Sequence, residues 1–77
     1  QESYLDTIEN EERIRFLTEY LQDLAERKRL VMTLYYYEEL NFKEIGKVLN
    51  VSESRVCQIH TQVLSDLKKK LYEFDNA

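Results

Sequence analysis

Few side chains in this sequence have the type and spacing for covalent or metal chemistry. Cys57 is the only cysteine and His60 the only histidine, so the chain has no cysteine–histidine cluster of metal-ligand spacing and no internal disulfide. No serine or cysteine has a plausible base partner near in sequence. There is no glycine loop to cradle a phosphate, and no paired-carboxylate pocket that so small a chain would shelter. These observations point away from an enzyme and imply no cofactor and no metal; His60 is expected at the surface or facing a groove. The remaining chemistry is hydrogen bonding. Glu53, Ser54, Cys57, Gln58 and Thr61 share one side of a helical stretch whose other side carries Val56, Ile59, Val63, Leu67 and Leu71. Polar side chains at the N-terminal end of such a helix suit entry into a DNA major groove, where base edges present donors and acceptors. The plainer alternative is a helical hairpin with a solvated polar face.

The elements that must position this face are legible around it. Phe42, Ile45, Val48 and Leu49 recur at helical spacing and predict a short helix with one buried side. Asn41 and Glu44 stand three apart, the spacing of a capping box that satisfies two otherwise orphaned N–H groups. Gly46, the only glycine, sits inside this helix at a cost of roughly 1 kcal/mol against alanine. A close approach of another segment would offset that cost. Asn50 falls where the helix must stop and tolerates the left-handed conformation. Val51 is expected to plug the turn and Ser52 to cap the following helix. Residues 41–71 therefore read as a helix-turn-helix.

The 77 residues leave room for one small domain with a single core. With 43% hydrophobic and 34% charged residues, no proline and one glycine, compact helices are favoured over sheet. The expected fold is all-α, a small four-helix domain containing a helix-turn-helix. No run is long enough to span a membrane and no signal segment opens the chain, so a soluble protein of a reducing compartment, the cytoplasm, is expected. The chain begins at Gln1 and not at methionine, which suggests a domain cut from a longer protein. Its net charge of −4 hides an asymmetry: residues 1–40 hold ten acids and five bases, residues 41–72 three acids and six bases, and residues 73–77 two acids. The basic part is the helix-turn-helix, as phosphate contact requires.

Taken in order, residues 1–10 lack a clear period and read as a frayed N-terminus or linker end, residues 11–74 as the domain, and residues 75–77 as a C-terminal tail. Ile14, Leu17, Leu21 and Leu24 predict a first helix from Glu11, with Phe16 and Tyr20 widening its buried face. Leu30, Val31, Leu34 and Tyr35 predict a second helix running to about Glu39. Arg27, Lys28 and Arg29 at its start oppose the helix dipole and suit either a nearby phosphate or solvation beside the acids of the first helix. Tyr35, Tyr36 and Tyr37 cannot all be buried on one face, so at least one ring is expected in solvent, where tyrosine suits a partner surface. Lys68, Lys69 and Lys70 are expected to stabilise the C-terminal end of the last helix.

Residues 24–71 closely resemble the C-terminal domain, region 4, of bacterial sigma factors, and LYYYEEL, KEIGKVLNVSESRV and QIH look most like the flagellar, or motility, class. LuxR-type response-regulator domains share the Glu44–Ile45–x–x–x–Leu49 pattern but are less similar after Val51. The resemblance implies a promoter −35 reader within RNA polymerase holoenzyme. Carried onto this sequence, base-reading positions fall on Glu53, Ser54, Cys57 and Gln58, with Glu53 suited to cytosine and Gln58 to adenine. Backbone-contacting positions fall on Arg27, Asn41, Ser52, Arg55 and Gln62, and Lys43 and Lys47 add phosphate contacts on charge grounds. The resemblance also implies an apolar groove for the flap of the polymerase β subunit, using Leu17, Leu21, Val31, Leu34, Tyr35, Tyr36 and Tyr37, and an anti-sigma factor covering such surfaces.

Three departures from the family pattern stand out. Ala25 replaces a frequent proline and Asn50 a usual glycine. Cys57 stands where primary sigma factors tend to have arginine, which implies a different promoter preference. Two other readings compete: a response-regulator DNA-binding domain, and a protein-interaction helical domain that does not read DNA.

Overall fold

The computed structural model describes residues 4–76, with side chains from residue 10 onward. Four helices follow one another: α1 (Tyr4–Asp23), α2 (Glu26–Tyr36), α3 (Phe42–Leu49) and α4 (Glu53–Asp75). Val31 and Met32 of α2, Ile45 of α3, and Val56, Ile59 and Val63 of α4 form the enclosed core. The core thus lies between α2, α3 and the first half of α4. Among the described residues, no helix is long and apolar enough to cross a membrane.

The turn between α3 and α4 is built as its residue types require. Asn41 Oδ1 accepts from the Glu44 N–H at 2.8 Å while the Asn41 N–H donates to Glu44 Oε1 at 2.9 Å, closing the capping box. Asn50 ends α3 at φ 58, ψ 46, in the left-handed region, and both it and Val51 donate their N–H groups to Gly46 O. A Cβ at Gly46 would lie 2.7 Å from Val51 O, so glycine lets the turn fold back onto its own helix. Ser52 Oγ then accepts from the Arg55 N–H at 3.0 Å and starts α4.

Other expectations need correction. Helix α1 begins at Tyr4, earlier than the start at Glu11 that the apolar spacing gives; residues 1–3 lie outside the described residues, as does Ala77 of the expected tail. Asp75 closes α4 and Asn76 caps it. The contacts α1 makes through Arg13, Phe16 and Tyr20 centre roughly 100° from the Ile14–Leu21 stripe, at 3.6 residues per turn. Ile14 is consequently 62% exposed and Leu21 is also exposed. The contacts are made by Phe16, stacked on Phe74 at 4.7 Å, and by Tyr20, whose hydroxyl donates to Asp66 Oδ2 at 2.8 Å. Arg13 pairs with Asp75 at 3.2 Å. These pairings run α1 antiparallel to α4, and large rings bridge a gap that leucines there would leave open.

Helix α2 starts at Glu26 and stops at Tyr36, short of Glu39, because Glu39 takes φ 59 and the Leu40 N–H turns back to Leu34 O. Val48 is 61% exposed. It sits roughly 110° from the centre of the arc formed by Phe42, Ile45, Gly46 and Leu49. Lys68, Lys69 and Lys70 do not occupy the last turn of α4, which holds no base. The helix runs on to Asp75, so the C-terminal dipole does not explain them.

Candidate nucleic-acid interface

Packing of Val56, Ile59 and Val63 into the core dictates which side of α4 is free. Ser54, Cys57, Gln58 and Thr61 stand on the opposite side, all exposed, and Glu53 lies at its edge in the first turn, where the helix dipole favours a carboxylate. The four expected base-reading side chains are therefore brought together on the first two turns of one helix. Arg55 Nη1 donates to Gln58 Oε1 at 3.4 Å, joining a flanking cation to the central amide.

The expected backbone-contacting residues are free to meet a ligand. Arg27, Asn41, Lys43, Lys47, Ser52, Arg55 and Gln62 are all exposed. Asn41 Oδ1 and Ser52 Oγ already accept from helix N–H groups, which leaves the Asn41 amide protons and the Ser52 hydroxyl proton as donors for an anion. The basic run at the start of α2 divides by role. Arg29 Nη1 donates to Gln22 O at 3.2 Å, in the last turn of α1, where a cation is favoured.

His60 is not groove-facing. It is half-buried against Tyr35, Tyr36 and Phe42, with ring centroids 4.8, 5.6 and 5.1 Å away, and its Nε2 lies 2.8 Å from the Tyr36 hydroxyl. Burial pushes its pKa below the usual value, so the neutral ring is the favoured form. This aromatic cluster joins α2, α3 and α4 behind the exposed polar face of α4. Tyr20 is shifted the other way. Burial, reinforced by its hydrogen bond to Asp66, pushes its phenol up to about 12.

Two hollows border these elements. The first, of about 790 Å³, lies between the α1–α2 corner and the flank of α4; Lys28 and Tyr20 enter it from one side, and Gln58, Thr61, Gln62 and Lys69 from the other. The second is an open apolar groove of about 640 Å³ lined by Leu17, Leu21, Met32, Tyr36, Tyr37, Leu64 and Leu67. Leu17, Leu21, Tyr36 and Tyr37 of the expected partner surface meet there. Val31 does not, being 0% exposed; Leu34 and Tyr35 are half-buried and pack against the core. Of the other lining residues, Leu64 lies off the strict α4 stripe, and Met32 and Leu67 have the hydrophobic character of core positions, which does not mark them as groove-lining. Lys28 and Lys69 carried no signal of proximity, since 41 positions separate them in the sequence.

Comparison with known proteins agrees with this architecture. The family model described as Sigma-70, region 4 matches residues 20–69. RNA polymerase sigma factor FliA of Escherichia coli (strain K12) is 58% identical over 53 residues, covering 69% of this chain and 22% of that protein. The Pseudomonas aeruginosa protein of the same name is 52% identical over 61 residues, 79% of this chain and 25% of its own length. RNA polymerase sigma-D factor of Bacillus subtilis (strain 168) is 46% identical over 66 residues, 86% and 26% respectively. The chain spans about a quarter of the length of these curated relatives. With the glycine-tightened turn and the capped polar helix in place, the match over residues 20–69 assigns the chain to the sigma-70 region 4 family, as a region 4 domain of the flagellar class.

Proposed function

We propose that this chain reads the −35 element of promoters as the C-terminal domain of a flagellar-class sigma factor, directing transcription initiation by RNA polymerase. The observation that carries this reading is the polar face of α4, held outward by the core and presented from a turn that Gly46 and Asn50 make tight. Glu53 accepts from a cytosine amino group and Gln58 pairs with adenine, while Ser54 and Cys57 set the fit beside them. Arg27, Asn41, Lys43, Lys47, Ser52, Arg55 and Gln62 hold the sugar–phosphate rails and fix the register without reading sequence. The exposed cysteine at Cys57 makes no charged contact with guanine, so the preferred element differs from that of an arginine-bearing reader.

The apolar groove is the docking surface for the β flap of the polymerase, through Leu17, Leu21, Tyr36 and Tyr37 together with Met32, Leu64 and Leu67. An anti-sigma factor covers the same groove. Its open, nearly all-apolar lining supports an amphipathic helix as occupant.

The reading is tested by fluorescence anisotropy of a labelled flagellar-type −35 duplex against the chain tethered to the flap, beside a scrambled duplex. The expected result is tighter binding of the specific duplex, with Gln58→Ala losing about 1–3 kcal/mol of the preference. Equal binding of both duplexes would move the function to protein interaction alone.

A further inference from the structure

We infer that the hollow between the α1–α2 corner and α4 is a further phosphate-backbone site, in which Lys28 and Lys69 grip one DNA strand and set the rotation of α4 in the groove. This rests on the reading of α4 as the groove helix. A helix of about 10–12 Å diameter fills a major groove about 12 Å wide, so residues on its flank meet the sugar–phosphate rail. Gln58 and Thr61 belong both to the reading face and to the wall of the hollow, which makes the two surfaces continuous. Lys28 is half-buried, unlike exposed Arg27 and Arg29, and it lines the hollow, as a long side chain with its stem along the protein does.

Lys69 enters the same hollow eleven residues beyond Gln58, three turns or about 16 Å along α4. The hollow's carboxylate, Asp66, already accepts from the Tyr20 hydroxyl at 2.8 Å. Two ammonium groups thus stand against one hydrogen-bonded carboxylate, among neutral amide and hydroxyl donors. Lys28 and Lys69 make that a lining for phosphate, with Gln58 at the edge it shares with the polar face of α4.

The test is the salt dependence of binding of the whole chain to the −35 duplex and to its scrambled counterpart. Lys28→Gln and Lys69→Gln should each flatten the slope of log K against log salt by about 0.9, and the double variant by about 1.8, equally for both duplexes. Lys28→Arg should restore the slope. Arg15→Gln, beside Phe16 and Phe74 on the far part of α1, should leave it unchanged, and amide spectra of Lys28→Gln should match the parent. An unchanged slope in Lys28→Gln, an equal loss in Arg15→Gln, or a loss confined to one duplex would overturn the assignment. A parent that prefers neither duplex, with the lysine slopes still falling, would remove the groove reading and the positioning role with it. A parent that keeps its preference while the lysine variants show no slope change leaves the reading intact and sinks only this site.

Discussion

The two ends of the molecule are held in different ways. In the helix-turn-helix almost every position is dictated by a neighbour within a few residues: Asn41 by Glu44, Gly46 by Val51, and Ser52 by Arg55. Helix α1, almost as long as α4, is attached by side chains distant in sequence, chiefly Phe16 on Phe74, Tyr20 on Asp66 and Arg13 on Asp75. The first region is rigid by local stereochemistry. The second depends on a few contacts, two of them polar and exposed, and surface ion pairs contribute at most about 1 kcal/mol.

Gly46→Ala should break the first region most severely. In an open helix alanine would gain about 1 kcal/mol, but the clash with Val51 O reverses the sign and should cost about 1–3 kcal/mol, measured by urea unfolding. Asn41→Ala should follow, losing about 1 kcal/mol by the same measurement as the capping box opens. Phe16→Ala sharpens the contrast. It should remove amide-exchange protection from α1 while leaving that of α3 and α4 unchanged, since the stacked pair contributes about 1 kcal/mol and the core lies elsewhere.

Acidification probes the aromatic cluster behind the reading face. The pKa of His60 is lowered by folding, so the unfolded chain binds the proton first. Stability present above about pH 6.5 should fall as pH drops below that value, and His60→Phe should flatten the fall in unfolding curves taken across this range. The smallest effect is expected at the α1–α2 corner. Ala25 has φ −55 and ψ 146, within proline's range, so Ala25→Pro should raise stability by about 0.4–1 kcal/mol in urea unfolding.

The same contrast explains what the sequence discloses. The capping box, the left-handed Asn50, the crowded Gly46 and the Ser52 cap are local events, and residue types at short spacing announce them. The position of α1 is not local. Its leucine stripe satisfied the helical period, yet Ile14 and Leu21 are exposed, and Phe16 and Tyr20 beside that stripe reach Phe74 and Asp66 of α4. His60 misled for a similar reason: a lone polar ring looks solvent-facing until three aromatic rings from α2 and α3 close over it. The exposed polar set on α4 was legible because the buried stripe defines its opposite side. The apolar groove was only half legible, since Val31 and Leu64 share a hydrophobic character that cannot distinguish core from rim.

Whether the outward face of α4 meets base edges as proposed decides the function. The most direct measurement is amide and side-chain NMR mapping of the chain titrated with an unlabelled −35 duplex. The largest shifts are expected at Ser54, Cys57, Gln58 and Thr61, including the Gln58 carboxamide, with Leu17 and Tyr37 of the apolar groove unmoved. Shifts concentrated in the apolar groove, or spread evenly over the basic side chains with the Gln58 carboxamide silent, would contradict it.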